Sequence, residues 1–363
     1  MKPTAARSDH EFIGPASRKE KREQTKARRR KRVRNFLLAS SASFLLFVAA
    51  AIIASVSTTW GRHARLLLAE TIISTRHYYL ARYITSHAEY ASLVKQLNTP
   101  VVPTGLPTHV VHVVPKPPAV IPPVQVEPVS GPGYKGYVML VHDPKRLRLV
   151  QADVHGAMGE YITDMGKRVG AIAGANASGF EDPNGEGWGG IPVGLEYIDG
   201  KIVSNSKPNP GWTTVGFTKN GLMVMGTYSA SQLQGLGVRD AMQFHPELVV
   251  NGQKMITYGD GGWGYGPRTA IGQAKDGTVI LIVINGRFHN SGMGASQKQV
   301  MDLMLKYGAV NACAMDGGSS SVLYQDGKII NSPSTIDPNG QRHLPDAWMV
   351  FPSEAAANAY SPS

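Results

Sequence analysis

The sequence predicts an α+β protein: a single compact domain around a mixed, largely antiparallel β-sheet with few helices, preceded by a transmembrane helix and a helical stalk. Three observations predict this class. Five Asn-Gly or Asp-Gly pairs separate apolar and β-branched runs between residues 134 and 352. Such pairs are strong local signals of hairpins. A run of 24 uncharged residues lies near the N-terminus, and a Pro-rich stretch separates it from the hairpins.

The net charge of +11 is concentrated at the N-terminus. Residues 1–34 hold 13 Lys and Arg against 4 Asp and Glu, whereas residues 134–352 hold 18 of each. We assign residues 1–35 to a cytoplasmic basic arm. Because the globular domain is neutral, the charge does not indicate a nucleic-acid partner.

The uncharged run, residues 36–59, predicts a transmembrane helix. A helix of this length is roughly 36 Å long and crosses a hydrocarbon core of about 30 Å. The preceding basic cluster favours a cytoplasmic N-terminus and an extracytoplasmic domain, in a single-pass protein of the cell membrane. The alternative is a cleaved signal peptide, for which both the arm and the apolar run are long.

Residues 60–99 are expected to form the helical stalk, and residues 100–133 a Pro-rich linker. Residues 62–97 lack Pro and carry an imperfect heptad stripe, consisting of Leu66, Ile73, Leu80, His87 and Val94. The stripe allows a homodimer through the stalk, although such a helix could also pack on the membrane surface or on its own domain. The linker holds ten of the 24 prolines and favours extended conformations.

The domain itself is assigned to residues 134–352, followed by a disordered tail over 353–363. Thr278–Asn285 is apolar almost throughout, which is typical of a central strand. Apolar periodicity predicts helices over Ser296–Tyr307 and Ile162–Arg168. A lone cysteine, Cys313, excludes an intramolecular disulfide and a cysteine-cluster zinc site.

The densest chemical signal is NACAMDGGSSSVLY, residues 311–324. An apolar strand ends at Met315, and Asp316 follows it. The two glycines let the backbone turn tightly, and the amides from Gly317 to Ser320 form a candidate anion cradle. The alternative is an ordinary Asp-Gly turn that leads into a strand.

Two arginines stand at predicted strand ends, Arg268 in GPRTAIG and Arg287 in NGR. A guanidinium suits bidentate recognition of phosphate or carboxylate, although each could instead be a structural ion-pair partner. Asn176 ends another apolar run. The loop over 181–190 that follows is consistent with a substrate lid.

The succession GANASGF, PRTAIG, VINGR, LMLKYGAVNACAMDGGSSS, DGKIIN and RHLPDAWMVF resembles the phosphodiester glycosidase family, the uncovering-enzyme-like N-acetylglucosamine-1-phosphodiester α-N-acetylglucosaminidase domain. The resemblance covers about residues 134–352. It implies a compact α/β domain that acts on phosphodiester-linked sugars. Two positions depart from the family pattern, because Asn285 stands where an acidic residue is usual and Gln299 near where a Glu is frequent.

The resemblance and the residue chemistry together define candidate site residues. The candidate catalytic residues are Asp316, Arg268 and Asn176. The candidate substrate-binding residues are Gly317, Gly318, Ser319, Ser320, Asn331, Arg287 and Arg342. No metal ligands are assigned and the cofactor is unknown, with a divalent cation on Asp316 considered for P–O cleavage.

The expected function is that of a membrane-anchored extracytoplasmic hydrolase, a phosphodiester glycosidase that cleaves sugar-1-phosphodiester linkages in cell-envelope or exopolysaccharide glycans. Its expected partners are the glycan substrate and the membrane. One alternative is a non-catalytic envelope module that binds anionic glycans, which the two departures favour. Another is a serine hydrolase using Ser319 or Ser321, for which no motif-linked histidine is present.

Overall fold

The computed structural model describes residues 18–75, 77–98, 122–154, 157–182, 186–206, 211–287, 292–335 and 337–362. The first part of the predicted basic arm and most of the predicted Pro-rich linker lie outside these residues. The chain forms two compact units, Met1–Arg65 and Leu66–Ser363, which are described separately.

The first unit is dominated by one long helix, α1, Arg18–Ser57. Its stretch Arg28–Ser57 is long and apolar enough to cross a membrane, and a signal sequence near an N-terminus has the same properties. The apolar side chains of this stretch are exposed, as expected for a surface that faces lipid.

The segment predicted as a stalk differs from one continuous helix. Helix α2 (Thr59–Ile73) is followed by a 3-10 helix (Tyr78–Tyr83) and helix α3 (His87–Asn98). Within the second unit, Ala69, Ala81 and Leu93 form a small buried cluster, and Leu66 and Ile73 pack against it. Two apolar residues of the predicted stripe, Leu66 and Ile73, are therefore covered inside this chain, whereas Leu80 is exposed, and nothing in the described residues supports the dimer.

The first sheet has seven strands in the order β1-β2-β13-β12-β14-β10-β11. They are β1 (Val124–Gly131), β2 (Tyr134–Val141), β10 (Glu247–Val250), β11 (Gln253–Lys254), β12 (Arg268–Ala274), β13 (Val279–Ile284) and β14 (Ala309–Met315). All six residues of β13 are buried, which confirms the predicted central strand. β1 lies inside the segment that was predicted to be a linker. The strand pairs with β2, and its residues Val124 and Val126 pack on the core.

Two further sheets have five strands each. One has the order β16-β15-β4-β17-β3, formed by β3 (Leu147–Gln151), β4 (Ala173–Asn176), β15 (Leu323–Gln325), β16 (Lys328–Ile329) and β17 (Asp346–Val350). The other has the order β6-β5-β9-β7-β8, formed by β5 (Gly194–Ile198), β6 (Lys201–Ser206), β7 (Thr213–Thr218), β8 (Met223–Gly226) and β9 (Val238–Phe244). Every pairing between these named strands is antiparallel. The α+β class with largely antiparallel pairing is confirmed, although the strands form three sheets.

All five predicted turns join neighbouring strands. They lie between β5 and β6, β7 and β8, β10 and β11, β12 and β13, and β15 and β16. Asp199, Asn251 and Asp326 adopt positive φ, as does the glycine after each of them. At these three turns, both central positions adopt the left-handed conformation, which Asn, Asp and Gly tolerate better than other residues.

The globular domain contains few helices. They are α4 (Ile162–Val169), α5 (Ala230–Gly235), α6 (Gln297–Lys306) and α7 (Glu354–Ala359). α4 and α6 confirm the two predicted helices. α7 lies in the tail expected to be disordered, and that expectation is wrong. The buried Arg148 guanidinium explains the order, because its Nη1 donates to the Ala357 carbonyl at 2.5 Å while its Nε pairs with Asp240 at 2.6 Å.

Candidate active site

Three strand ends meet at one edge of the first sheet and carry the charged residues singled out from the sequence. β12 begins at Arg268, and β14 ends one residue before Asp316. The antiparallel register of β12 and β14 places these two residues opposite each other. Arg287 follows the end of β13, the other neighbour of β12. Residues separated by 48 positions in sequence therefore share one site.

The backbone of Asp316 is bonded to the last residue of β4 and to the residue that follows it. Its N–H donates to the Ala177 carbonyl at 3.0 Å, and its carbonyl accepts the Asn176 side-chain amide at 2.7 Å. The carboxyl group therefore projects from a fixed turn into the cleft, which suits a catalytic group.

Burial raises the pKa of Asp316 to about 6. The Ser320 hydroxyl, the Arg342 charge and the Gly317 N–H all act in the opposite direction, while Asp182 raises the pKa further. This carboxyl is mainly ionised at neutral pH, yet it titrates within the range in which acid–base catalysis operates.

The turn over Gly317–Ser320 does not form the predicted anion cradle of four amides. The Gly317 N–H faces the Asp316 carboxylate, and the Gly318 N–H donates to the Pro267 carbonyl at 3.0 Å. The Ser320 N–H donates to the Gly317 carbonyl at 3.2 Å. The cradle prediction is therefore wrong for three of its amides, because the tight turn itself uses them.

Arg268 is buried, with 5% of its surface exposed. Its Nε donates to the Ala295 carbonyl at 3.0 Å, and its Nη2 donates to the Trp263 and Gly264 carbonyls at 2.8 Å. Burial and the neighbouring Arg287 lower its pKa to about 10. Its Nη1 faces Gly317, where an added Cβ would lie 3.9 Å away.

Arg287 is half-buried beside it. Its Nη2 donates to the Tyr265 carbonyl at 3.0 Å, and burial lowers its pKa. A Cβ added at Gly266 would lie 3.1 Å from the Arg287 Nη2 and 3.9 Å from the Arg268 Cζ, so both guanidiniums border one glycine. Among the ion pairs of the described residues, neither arginine has a carboxylate partner. The Asp260 charge acts on Arg268 without forming an ion pair with it, and two adjacent guanidiniums free of ion pairs suit an anion.

Arg342 occupies another flank of the cleft. Its Nη2 pairs with Asp182 at 2.5 Å, and its Cζ lies 4.5 Å from the centre of the Phe180 ring. This pair ties the start of the predicted lid loop to the cleft, although residues 183–185 lie outside the described part. Asp182 partly neutralises Arg342, so this arginine offers a substrate less net charge than Arg268 or Arg287.

Asn176 and Asn331 hold the backbone around the site and do not line the cleft. The Asn176 Oδ1 accepts the Thr269 hydroxyl at 2.8 Å and the Val322 N–H at 3.1 Å, and its amide group is fully buried. The Asn331 side chain bonds the Leu323 N–H and the Ser321 carbonyl. Both side chains bond groups that shape the site, and neither residue is part of the cleft lining.

Asn285 and Gln299, the two positions that depart from the family pattern, both bond backbone groups. The Asn285 Oδ1 accepts the Ser332 N–H at 3.1 Å, a bond that a carboxylate would also make. Gln299 is the N3 residue of a capping box with Ser296 at the start of α6. Gln and Glu both serve at that position. Neither residue lines the cleft.

A pair of buried carboxyls beneath the site was not predicted. Asp346 accepts the Ser178 N–H at 2.7 Å and its hydroxyl at 2.6 Å, two residues from Asn176. Glu196 lies against Asp346, and burial raises the pKa of both, that of Asp346 to about 6. The sequence signal for this pair was Glu196, a charged residue inside the otherwise apolar strand Gly194–Ile198.

The cleft in front of these groups has a volume of about 1440 Å³. One wall comes from the segment between α2 and the 3-10 helix, through Ser74, Thr75, Tyr78 and Tyr79. This segment is anchored by the Thr71 hydroxyl, which accepts the Tyr265 N–H at 3.1 Å. Thr71 and Tyr265 are far apart in the sequence, so the sequence did not predict that this segment lines the cleft.

Three histidines also line the cleft, His77, His245 and His343. His343 stacks on Tyr161 with ring centres 4.0 Å apart, and burial lowers its pKa. Ser321 is fully buried and does not line the cleft. This arrangement does not support a serine nucleophile.

No group of three or more His, Cys, Asp or Glu side chains is arranged to hold a metal ion in the part of the chain that the structure describes. A divalent cation at Asp316 therefore remains a prediction.

A family model described as phosphodiester glycosidase matches residues 169–351, half of the chain. The chain belongs to the phosphodiester glycosidase family. The matched range includes every candidate site residue, and the family is one of hydrolases. The predicted family is confirmed.

Two kinds of relative support this assignment. Over 185 residues the chain is 32% identical to the SPbeta prophage-derived uncharacterized protein YomE of Bacillus subtilis, a match that covers 48% of this chain and 27% of that protein. The chain thus matches about a quarter of that relative's length. The crystal structure of a hypothetical protein from Synechocystis superimposes with a TM-score of 0.50 at 16% identity, covering 64% of each chain.

The phosphodiester glycosidase fold is also found in the zebrafish N-acetylglucosamine-1-phosphodiester α-N-acetylglucosaminidase catalytic domain, a structure described as auto-inhibited by its pro-peptide. The TM-score is 0.56 at 19% identity, and the match covers 67% of this chain and 87% of that one. At sequence identities of 19% and 16%, the two structural matches show the fold of this chain.

Proposed function

We propose that the protein is a membrane-anchored hydrolase that cleaves sugar-1-phosphodiester linkages in extracytoplasmic glycans of a cell envelope or exopolysaccharide. The observation that carries this proposal is the pair of guanidiniums, Arg268 and Arg287, at the sheet edge that also carries Asp316. Family membership and the name of the zebrafish relative support an α-linked sugar-1-phosphodiester as the substrate class. The apolar stretch of α1 and the basic residues before it support the anchor.

The two arginines would neutralise the phosphodiester. This group carries one negative charge, which repels nucleophiles, and further charge develops on its oxygens as a bond breaks. Arg268 is already oriented by three carbonyls, so binding the anion requires little rearrangement. The Ser319 N–H, which no described carbonyl accepts, adds one backbone donor.

Asp316 would act at the anomeric carbon. When the sugar C1–O bond breaks, its carboxylate stabilises the positive charge that develops on the ring or activates the attacking water. A phosphate leaving group is acidic and needs little protonation. One carboxylate can therefore suffice where ordinary glycosidases use two. If the P–O bond breaks instead, Asp316 would orient the water or hold a divalent cation.

The alternative of a non-catalytic module that binds anionic glycans rests on the Asn285 and Gln299 departures. Both residues hold backbone groups outside the cleft. Their identities therefore give little reason to expect a loss of chemistry.

The full-length protein in detergent is expected to release free sugar from a panel of α-sugar-1-phosphodiesters, and a phosphomonoester in equal amount. The panel would be run with and without chelator, and Asp316→Asn would serve as the inactive control. Saturable binding of these diesters without turnover on any of them would support the binding module and contradict the proposal.

Hydrolysis in oxygen-18 water is expected to place the label in the sugar, because Asp316 supports attack at the anomeric carbon. Mass spectrometry of the two products reads out the position of the label. Label in the phosphomonoester would contradict C–O cleavage and favour the Asp316–cation mechanism.

A further inference from the structure

A patch of exposed tyrosines lies on the 3-10 helix Tyr78–Tyr83, in which only Ala81 is buried. The large apolar side chains of this tyrosine patch are Tyr78, Tyr79, Leu80 and Tyr83, and all four are exposed. The Tyr78 and Tyr79 rings meet edge to face, with centres 6.2 Å apart, and Tyr83 is 84% exposed. Adjoining apolar side chains that are all exposed indicate an interaction surface.

The sequence around the tyrosine patch is basic. Residues 71–88 contain two Arg, two His and neither Asp nor Glu. Arg82 is exposed within the same 3-10 helix, with its Cζ 5.0 Å from the centre of the Tyr90 ring. Tyrosine is enriched where a bilayer meets water, because its ring is apolar and its hydroxyl reaches water, and arginine favours anionic headgroups. The composition of the patch therefore fits a lipid interface.

The segment that carries the tyrosine patch is fixed to the globular domain. The Thr71 hydroxyl accepts the Tyr265 N–H at 3.1 Å, and a Cβ added at Gly264 would collide with that hydroxyl. The Glu70 side chain bonds that of Asp260. Whatever binds the patch therefore also orients the domain.

The chain keeps this part of the protein close to the predicted membrane helix. Eight residues, 58–65, separate the apolar stretch that ends at Ser57 from Leu66. Even when extended, this connection spans at most about 32 Å. The Pro-rich segment follows the tyrosine patch in the sequence, so it does not lengthen the connection. A chain anchored through α1 therefore holds the patch within reach of the bilayer surface.

We propose that the tyrosine patch docks on the headgroup region of the bilayer that α1 crosses, on its extracytoplasmic side. This inference goes beyond the proposed function and rests on its membrane anchor, but not on hydrolysis. Tyr78 and Tyr79 also line the cleft. Docking therefore places the cleft beside the membrane surface, where it reaches glycan segments close to the bilayer.

The test places a nitroxide spin label at position 83 of the full-length protein in vesicles of phosphatidylcholine and phosphatidylglycerol. Tyr83→Cys is labelled selectively, because Cys313 is buried. Ile202→Cys is the matched control, since Ile202 is an exposed apolar residue on β6, outside the patch. We expect the label at 83 to lose most of its access to a water-soluble nickel chelate and to gain access to oxygen, which dissolves in lipid. The label at 202 should keep its access to nickel.

A second variant tests the other side chains of the tyrosine patch. In the Tyr83→Cys background, Tyr78, Tyr79 and Leu80 are all replaced by Ser. Access of the label to nickel should return, because the apolar area that holds the patch in the interface is lost. Thermal unfolding establishes that the variant is folded at the temperature of the measurement. Nickel access that stays low in this folded variant would overturn the docking role of the patch.

Two further outcomes would overturn the proposal. Equal nickel access of the labels at 83 and 202 in vesicles would show that the patch stays in water. Spectral broadening from two close labels at 83 would instead identify a second copy of the chain as its occupant.

Flotation of the vesicles separates this proposal from the proposed function. If the protein floats with the vesicles while the label at 83 remains in water, the docking is wrong and the anchor stands. If the protein does not float, the anchor is wrong and the docking fails with it. Neither measurement requires turnover, so a failure to hydrolyse diesters leaves the docking result unchanged.

Discussion

Asp316→Asn is expected to lower kcat for an α-sugar-1-phosphodiester by about 10³-fold, within the range typical of losing a general base or a charge-stabilising carboxylate. Asparagine keeps the size of the side chain and an oxygen that accepts the Gly317 N–H. It removes the negative charge that would face the anomeric carbon. Steady-state kinetics on the full-length protein measure this loss.

The same substitution should not destabilise the fold. Burial raises the pKa of Asp316 from 3.8 to about 6, so the folded protein disfavours the ionised form that predominates at neutral pH. The neutral amide removes this penalty, and the melting temperature at pH 7–8 should be equal or higher. A lost activity accompanied by a lower melting temperature would instead indicate a structural role for Asp316.

The pH dependence follows from the same raised pKa. Between about pH 4 and pH 6 the folded state retains a proton that the unfolded state releases. The free energy of unfolding therefore falls as the pH rises through this window. Asp346 contributes with the same sign, so Asp316→Asn should reduce this slope without removing it. kcat/KM should rise through about pH 6 if the carboxylate is the active form, and a fall there would show that the protonated acid acts.

The hairpins were predictable because their determinants are local. In all five Asn-Gly and Asp-Gly turns the glycine adopts positive φ, and in three of them the preceding residue does so too. An arginine at a strand start and an aspartate at a strand end meet when the strands are antiparallel neighbours. That pairing was not visible in the sequence, but the residue types suggested it.

The remaining features depend on contacts between distant parts of the chain. The heptad stripe of residues 66–94 has the same period whether its partner is a second chain or neighbouring segments, and here its residues Leu66 and Ile73 pack internally. The amides of Gly317–Ser320 are counted as free donors in a sequence, yet three of them bond the Asp316 carboxylate, the Pro267 carbonyl and the Gly317 carbonyl. The hydrogen-bond partners of Asn176 and Asn331, which indicate a positioning role, were likewise not visible in the sequence.

Arg268→Lys is expected to lower kcat/KM by about 10²-fold, comparable to the loss of one oxyanion-hole donor. Lysine keeps a positive charge but lacks the planar fork, so it cannot bond the Ala295, Trp263 and Gly264 carbonyls while presenting a donor to phosphate. At least one buried carbonyl loses its partner. The free energy of unfolding should therefore also fall by about 2 kcal/mol.

Arg287→Lys is the matched comparison, because Arg287 is half-buried and bonds one carbonyl, that of Tyr265. It should lower kcat/KM by only about tenfold, as expected for a single charge-assisted hydrogen bond, with little change in stability. Assays below the melting range separate chemistry from folding, and the inhibition constant of a non-hydrolysable phosphonate diester reports on the anion site directly. If that constant rises for both variants, both guanidiniums bind the phosphate. If Arg268→Lys loses stability but retains the wild-type inhibition constant and kcat/KM, Arg268 supports the loop over 263–266 and the anion depends on Arg287 alone.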